Sequence, residues 1–238
     1  MKKGQFGDWL RESLLFIARG PLVWVGYTLA TGVILLVGRI SLALGIFFSV
    51  TSLFVGVGIA KYIDLNYSGD NPVPLAWAIR KSLPLAVLAA ASLVVCWFGI
   101  NVVANLVSGD LLKTGRFFFY WELTPENLHR RPMREIASWF YTYANVALVF
   151  VLVMLSTFAS WFSYPLMLFR NYSFSQARER GVHEISRNRG AFYKLYGFIV
   201  LEALLCSSVT PLLTPVLYML VSTLMYVTYQ DLLGVKDG

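Results

Sequence analysis

The sequence predicts an all-α, polytopic membrane protein of about six transmembrane helices, with short cytoplasmic amphipathic helices and both termini in the cytoplasm. Three observations lead there. Hydrophobic residues make up 57% of the chain and charged residues only 14%, where a soluble domain carries about 25% charge. The charges are clustered, which leaves apolar runs near the roughly 20 residues needed to cross a bilayer. The lysines and arginines then fall unequally between the two sides that those runs define.

The first segment, 1–20, reads MKKGQFGDWLRESLLFIARG. Asp8, Arg11, Glu12 and Arg19 break up any apolar core, so no cleavable signal peptide is expected. Phe6, Trp9, Leu10, Ser13, Leu14 and Ile17 gather near one helical face. That is the pattern of an interfacial amphipathic helix with Trp9 at headgroup depth. It either docks onto the other cytoplasmic segments or simply leads into the first span.

The first span is expected from Pro21 to Gly38 and the second from Ile40 to Ala60, a tight hairpin around Arg39. Polar sequence follows over 61–82, where SGDNP marks a turn and LAWAIRK a short amphipathic helix. The third span runs from Leu83 to Val107. Residues 108–143 form the one substantial outward segment, with a capped helix start at Thr124 and Pro125. Its aromatic runs, Phe117 to Trp121 and Trp139 to Tyr143, fit a belt at the outer interface. The fourth span is expected from Ala144 to Phe169, followed by the basic cytoplasmic loop 170–197. Ser173 or Ser175 can cap a helix in that loop, with Gly181 and Gly190 weakening or breaking it. In the last apolar block, Phe198 to Val227, Pro211 and Pro215 remove backbone donors at the centre. Two short helices joined by a turn give six spans, while one long kinked helix would give five.

With six spans, the terminal segments, 61–82 and 170–197 share a side that holds 14 of the 20 lysines and arginines. The positive-inside rule places that side in the cytoplasm. The whole chain, 1–238, is one integral membrane domain. The endings YIDLNYSG (62–69) and YQDLLG (229–234) each set an Asp and a Leu just beyond a span. With the two amphipathic segments, they suggest a weak internal repeat of a kind common in solute carriers and in proteins that move nothing.

Little catalytic chemistry is visible. His129 and His183 fall on opposite sides of the membrane, and HEISR lacks the second histidine of HExxH. No P-loop, GxSxG or GxGxxG is present, so neither an enzyme nor a bound cofactor or metal is expected. Cys96 and Cys206 read as small apolar residues. The basic residues are distributed as topology determinants, and contact with anionic lipid explains them better than nucleic acid does. Glu202 is the one carboxylate inside an expected span, and such groups often mark ion or substrate paths. Asn101, Asn105 and Asn145 can bond between helices.

Four stretches, GDWLRES, PLVW, GVGIAKYIDLNYSGDNP and MYVTYQDLLG, carry a resemblance. With them the chain resembles an uncharacterised family of small multi-pass inner-membrane proteins of proteobacteria. The resemblance implies a helical inner-membrane fold and supplies no catalytic residues. The 108–143 segment is larger than that pattern usually has, which points to it as the place of this chain's particular role.

The expected function is therefore non-enzymatic and rests on protein contacts in the bacterial envelope. It would be that of an accessory or scaffold subunit of a secretion- or conjugation-type assembly, or of an exclusion or immunity factor. Candidate contact residues are Trp121, Arg130, Arg131, Arg134 and Trp139 outside, and Arg178, Arg180, Arg187 and Arg189 inside. The alternative is a small-solute or ion transporter using Glu202, Pro211, Pro215 and the three asparagines.

Overall fold

A computed structural model describes residues 4–68, 73–109, 112–118, 124–130 and 132–234, with backbone only at 68, 112–113, 127–128 and 133–134. Among these residues every regular element is helical. The helices are α1 (Phe6–Ile17), α2 (Pro21–Leu35), α3 (Leu42–Ser68), α4 (Leu75–Val107), α5 (Leu112–Gly115) and α6 (Pro125–His129). They continue with α7 (Met133–Thr157), α8 (Ser163–Arg170), α9 (Phe174–Arg187), α10 (Arg189–Ser208) and α11 (Thr214–Leu233). Among the described residues six stretches are long and apolar enough to span: Pro21–Arg39, Leu42–Tyr67, Leu75–Val107, Glu135–Thr157, Arg189–Ser208 and Pro211–Leu233. The chain is a multi-pass helical membrane protein.

Local chemistry sets the boundaries. Pro21 opens α2, where its missing N–H loses nothing. Ser41 Oγ accepts from the Leu44 amide at 3.3 Å and caps α3 after the short turn at Arg39. A 3₁₀ turn at Pro211–Leu213 separates α10 from α11, so the last apolar block is two helices. At about 1.5 Å per residue, α4 is about 50 Å long, more than the roughly 30 Å hydrocarbon core. The LAWAIRK segment is its first turns and not a separate helix.

The fourth span differs from expectation. It ends at Thr157, and α8 is a separate short helix after a break at 158–162. Pro165 explains the break, since its ring would clash with the carbonyl of Trp161 in a continuous helix. Ser163 also takes the Ser160 amide with its side chain at 2.9 Å. At its other end the helix reaches back to Met133. Trp139 and Tyr143 are buried there, as is Phe117 near α5, so these three rings belong to the protein interior and not to an interfacial belt.

α3 and α11 form the centre: 67% and 72% of their apolar windows are buried, against 11% for α4. α2, α4 and α7 pack on α3, α10 lies against α7 and α11, and α1 crosses α11 and α10. Contact is close where α3 begins, because a Cβ on Gly38 would fall within the Tyr143 ring and one on Gly45 would meet the Gly38 backbone. Small residues let helices approach in this way where lipid supplies no hydrophobic drive. Several polar groups of the centre pair internally, as a dry bilayer favours, while Ser49 Oγ and Thr51 Oγ1 on α3 are buried without a hydrogen-bond partner among the described residues. Tyr27 donates to the Ser52 carbonyl at 2.9 Å, Ser222 to that of Leu53 at 2.8 Å, and Tyr218 to that of Ala144 at 2.7 Å.

Candidate functional site

Both ends of the described chain lie on one face of the bundle, the near face. α1 lies across it, and its buried side is protein, not lipid. Trp9 is 1% exposed, donates its indole N–H to Asp231 Oδ2 at 2.7 Å, and sets its ring 5.3 Å from that of Phe192. Phe6 meets Phe198 and Phe16 meets Tyr226 at 5.4 and 5.5 Å. Of the two readings of this segment, docking is the one seen: the Trp9 indole finds both an acceptor and a ring inside the protein.

Beneath α1 lies a polar cluster. Asp64 Oδ2, at the end of α3, accepts from the Tyr226 hydroxyl at 2.6 Å and from Gln230 Nε2 at 3.2 Å on α11. Lys61 Nζ lies 3.6 Å from the same oxygen. A cavity of about 180 Å³ borders this cluster, walled also by Glu12 and Arg19. The Arg19 guanidinium lies over the rings of Phe16 and Tyr67, a cation–π arrangement. Asp64 and Asp231 are the two aspartates of the similar endings, and each takes a hydrogen bond from an aromatic residue of another element. The order of helix, span, 3₁₀ turn and span also occurs twice, from α1 to α3 and from α9 to α11. The packing does not repeat, for α1 lies on α11 and α10 while α9 lies mainly on α8.

α9 makes the basic loop a helix. Ser173 and Gln176 form a reciprocal capping box at 3.4 and 3.1 Å. Gly181 does not break the helix; it faces Ser160, where a Cβ would overlap the hydroxyl. Gly190 lies within the first turn of α10, and the break between the two helices comes at Asn188. Ala177, Gly181 and Glu184 are buried, while Arg178, Arg180, Arg187 and Arg189 are exposed. The 4% exposed Glu184 is flanked by Arg180 and Arg187, each 3.9 Å away. Phe174 and Val182, 51% and 47% exposed, stand among these arginines.

The remaining expected residues are scattered. Asn145 bonds Thr214 across α7 and α11 at 3.1 Å, next to Pro215. Asn105 instead bonds Asn101 on its own helix at 2.9 Å and Thr114 of α5 at 3.2 Å. Glu202 is half-buried on α10 and has no hydrogen bond or ion pair among the described residues. Pro211 starts the 3₁₀ turn. Trp121 and Arg131 lie outside the described residues, as does the side chain of Arg134. Arg130 is exposed. Trp139 is covered by the Arg39 guanidinium, 4.9 Å from its ring, and Arg39 also donates to its carbonyl, so it offers no outward contact. No group of His, Cys, Asp and Glu fit to hold a metal occurs among the described residues. Sequence reasoning missed the Asp64, Tyr226 and Gln230 cluster, whose one visible signal was a carboxylate just past an apolar run. Comparison of the chain with models of known protein families, with curated proteins and with solved structures finds no match.

Proposed function

We propose that the chain is a non-enzymatic protein of the bacterial inner membrane that works through protein contacts, as an accessory or scaffold subunit of an envelope assembly or as an exclusion or immunity factor. The observation that carries this reading is α9. It is a capped helix seated by Gly181 that presents exposed arginines with Phe174 and Val182. Arginine and aromatic side chains on a rigid support are the usual anchors of protein interfaces, and the arginines with Phe174 are of that kind. An acidic partner surface suits it. The near face is then cytoplasmic, in keeping with its share of the lysines and arginines.

The test is affinity purification of the tagged protein from its native membrane in mild detergent. A stoichiometric partner, retained by Glu202→Gln and lost when Arg178, Arg180 and Arg187 are all changed to Glu, is the expected result. The alternative, a solute or ion carrier, draws support from the half-buried Glu202 within a span. It gains if Glu202→Gln abolishes the protein's function while the arginine variant leaves it intact.

A further inference from the structure

A second feature lies on the other side of the near face, between α3, α4, α7 and α8. An apolar groove of about 250 Å³ opens laterally between α4 and α7, with Phe54 of α3 at its floor. Along α4 it runs from Leu85 to Cys96, about 17 Å at 1.5 Å per residue. That depth matches one leaflet, about half of a 30 Å hydrocarbon core. The groove begins where a second, more polar cavity ends. This one, about 170 Å³, is lined by Lys61, Trp77, Lys81 and Ser82. The Tyr164 hydroxyl, donating to the Ser82 carbonyl at 3.1 Å, stands between the two.

We infer that the two cavities form one site for an anionic phospholipid, its phosphate at Lys61 and Lys81 and one acyl chain in the groove. The cations stand one turn of α4 beyond the apolar lining, where a headgroup would meet the leaflet. Lys81 lies over the Trp77 ring at 5.0 Å and has no ion pair among the described residues. Lys61 is shared with Asp64, so the net charge offered to a phosphate comes mainly from Lys81. Basic pockets between spans select anionic headgroups in this way. The inference shares Phe174 with the protein-contact reading, since that ring also lines the groove, but none of the α9 arginines borders either cavity.

The test uses the full chain in phosphatidylcholine vesicles carrying a trace of phosphatidylglycerol or of phosphatidylcholine with a photoreactive group midway along one acyl chain. Crosslinks are mapped by mass spectrometry. The phosphatidylglycerol probe is expected to label 85–96 and 151–158 in preference to the exposed 99–107 stretch of α4. It should do so more strongly than the phosphatidylcholine probe. Lys81→Gln is expected to lower that preference about fivefold, and Lys61→Gln by less; both changes lie at the membrane surface and leave the groove intact. Equal labelling by the two probes, labelling spread evenly around α4, or insensitivity to Lys81→Gln would overturn the site. Loss of labelling on adding inorganic phosphate would assign the lysines to a soluble anion and overturn it equally.

Discussion

Trp9 and Asp231, 222 positions apart, are joined by a 2.7 Å hydrogen bond that ties the first helix of the chain to the last. Trp9→Phe keeps a ring and loses the donor. The expected loss is about 1.5 kcal/mol, the low end for a bond to a charged group, because Asp231 is exposed to water. Trp9→Ala also empties a buried site and should cost about 3–5 kcal/mol. Thermal unfolding in detergent measures both, and trypsin cleavage after Arg11 should be faster in the alanine variant.

Asp64 depends on two donors from α11. Tyr226→Phe removes the shorter bond and is expected to destabilise by about 1–3 kcal/mol. Asp64→Asn should weaken the same contact, and the double variant should fall short of the sum, with a coupling of at least about 0.5 kcal/mol. Strict additivity in unfolding midpoints would mean that the two side chains do not act on one another.

Gly181 is where α9 meets the turn before α8. Gly181→Ala is expected to cost about 1–3 kcal/mol by overpacking against Ser160 and to expose α9 to protease at Arg178 and Arg180. Ser160→Gly in the same chain should restore most of the loss. A lack of rescue would show that the clash lies elsewhere.

The proposed orientation has a direct readout. In a chain with Cys96→Ala and Cys206→Ala, Ser108→Cys should react with an impermeant maleimide in intact cells. Ser186→Cys should react only after the inner membrane is opened. The reverse pattern would invert the topology.

The spans were legible because each follows from apolar length, and Pro211 and Pro215 placed the last turn without any tertiary information. The fourth span was not, because hydropathy runs smoothly through the Phe158 to Phe162 break. There, Pro165 and the hydroxyls of Ser160 and Ser163 stop the helix by backbone chemistry. Aromatic residues misled for a related reason. Trp139 and Tyr143 look the same in sequence whether they meet lipid headgroups or, as here, Arg39 and Gly38. The near-face cluster needed α3 and α11 to be neighbours, and nothing local to Asp64 announces Tyr226 as its donor. Glu202 was conspicuous for its type, while its surroundings on α10 are unremarkable.

The central position of α11 also bears on how the protein is made. The carbonyl of Leu53 receives the Ser222 hydroxyl from 169 residues downstream, a stretch that takes roughly 8–35 s to synthesise at about 5–20 residues per second. Through that interval α3 stands without the helix that covers it, and Asp64 lacks both α11 donors. The nascent chain is therefore open to insertion chaperones and membrane proteases until its last span is released. A ribosome that stops short of α11 yields a product marked for removal by its own uncovered centre.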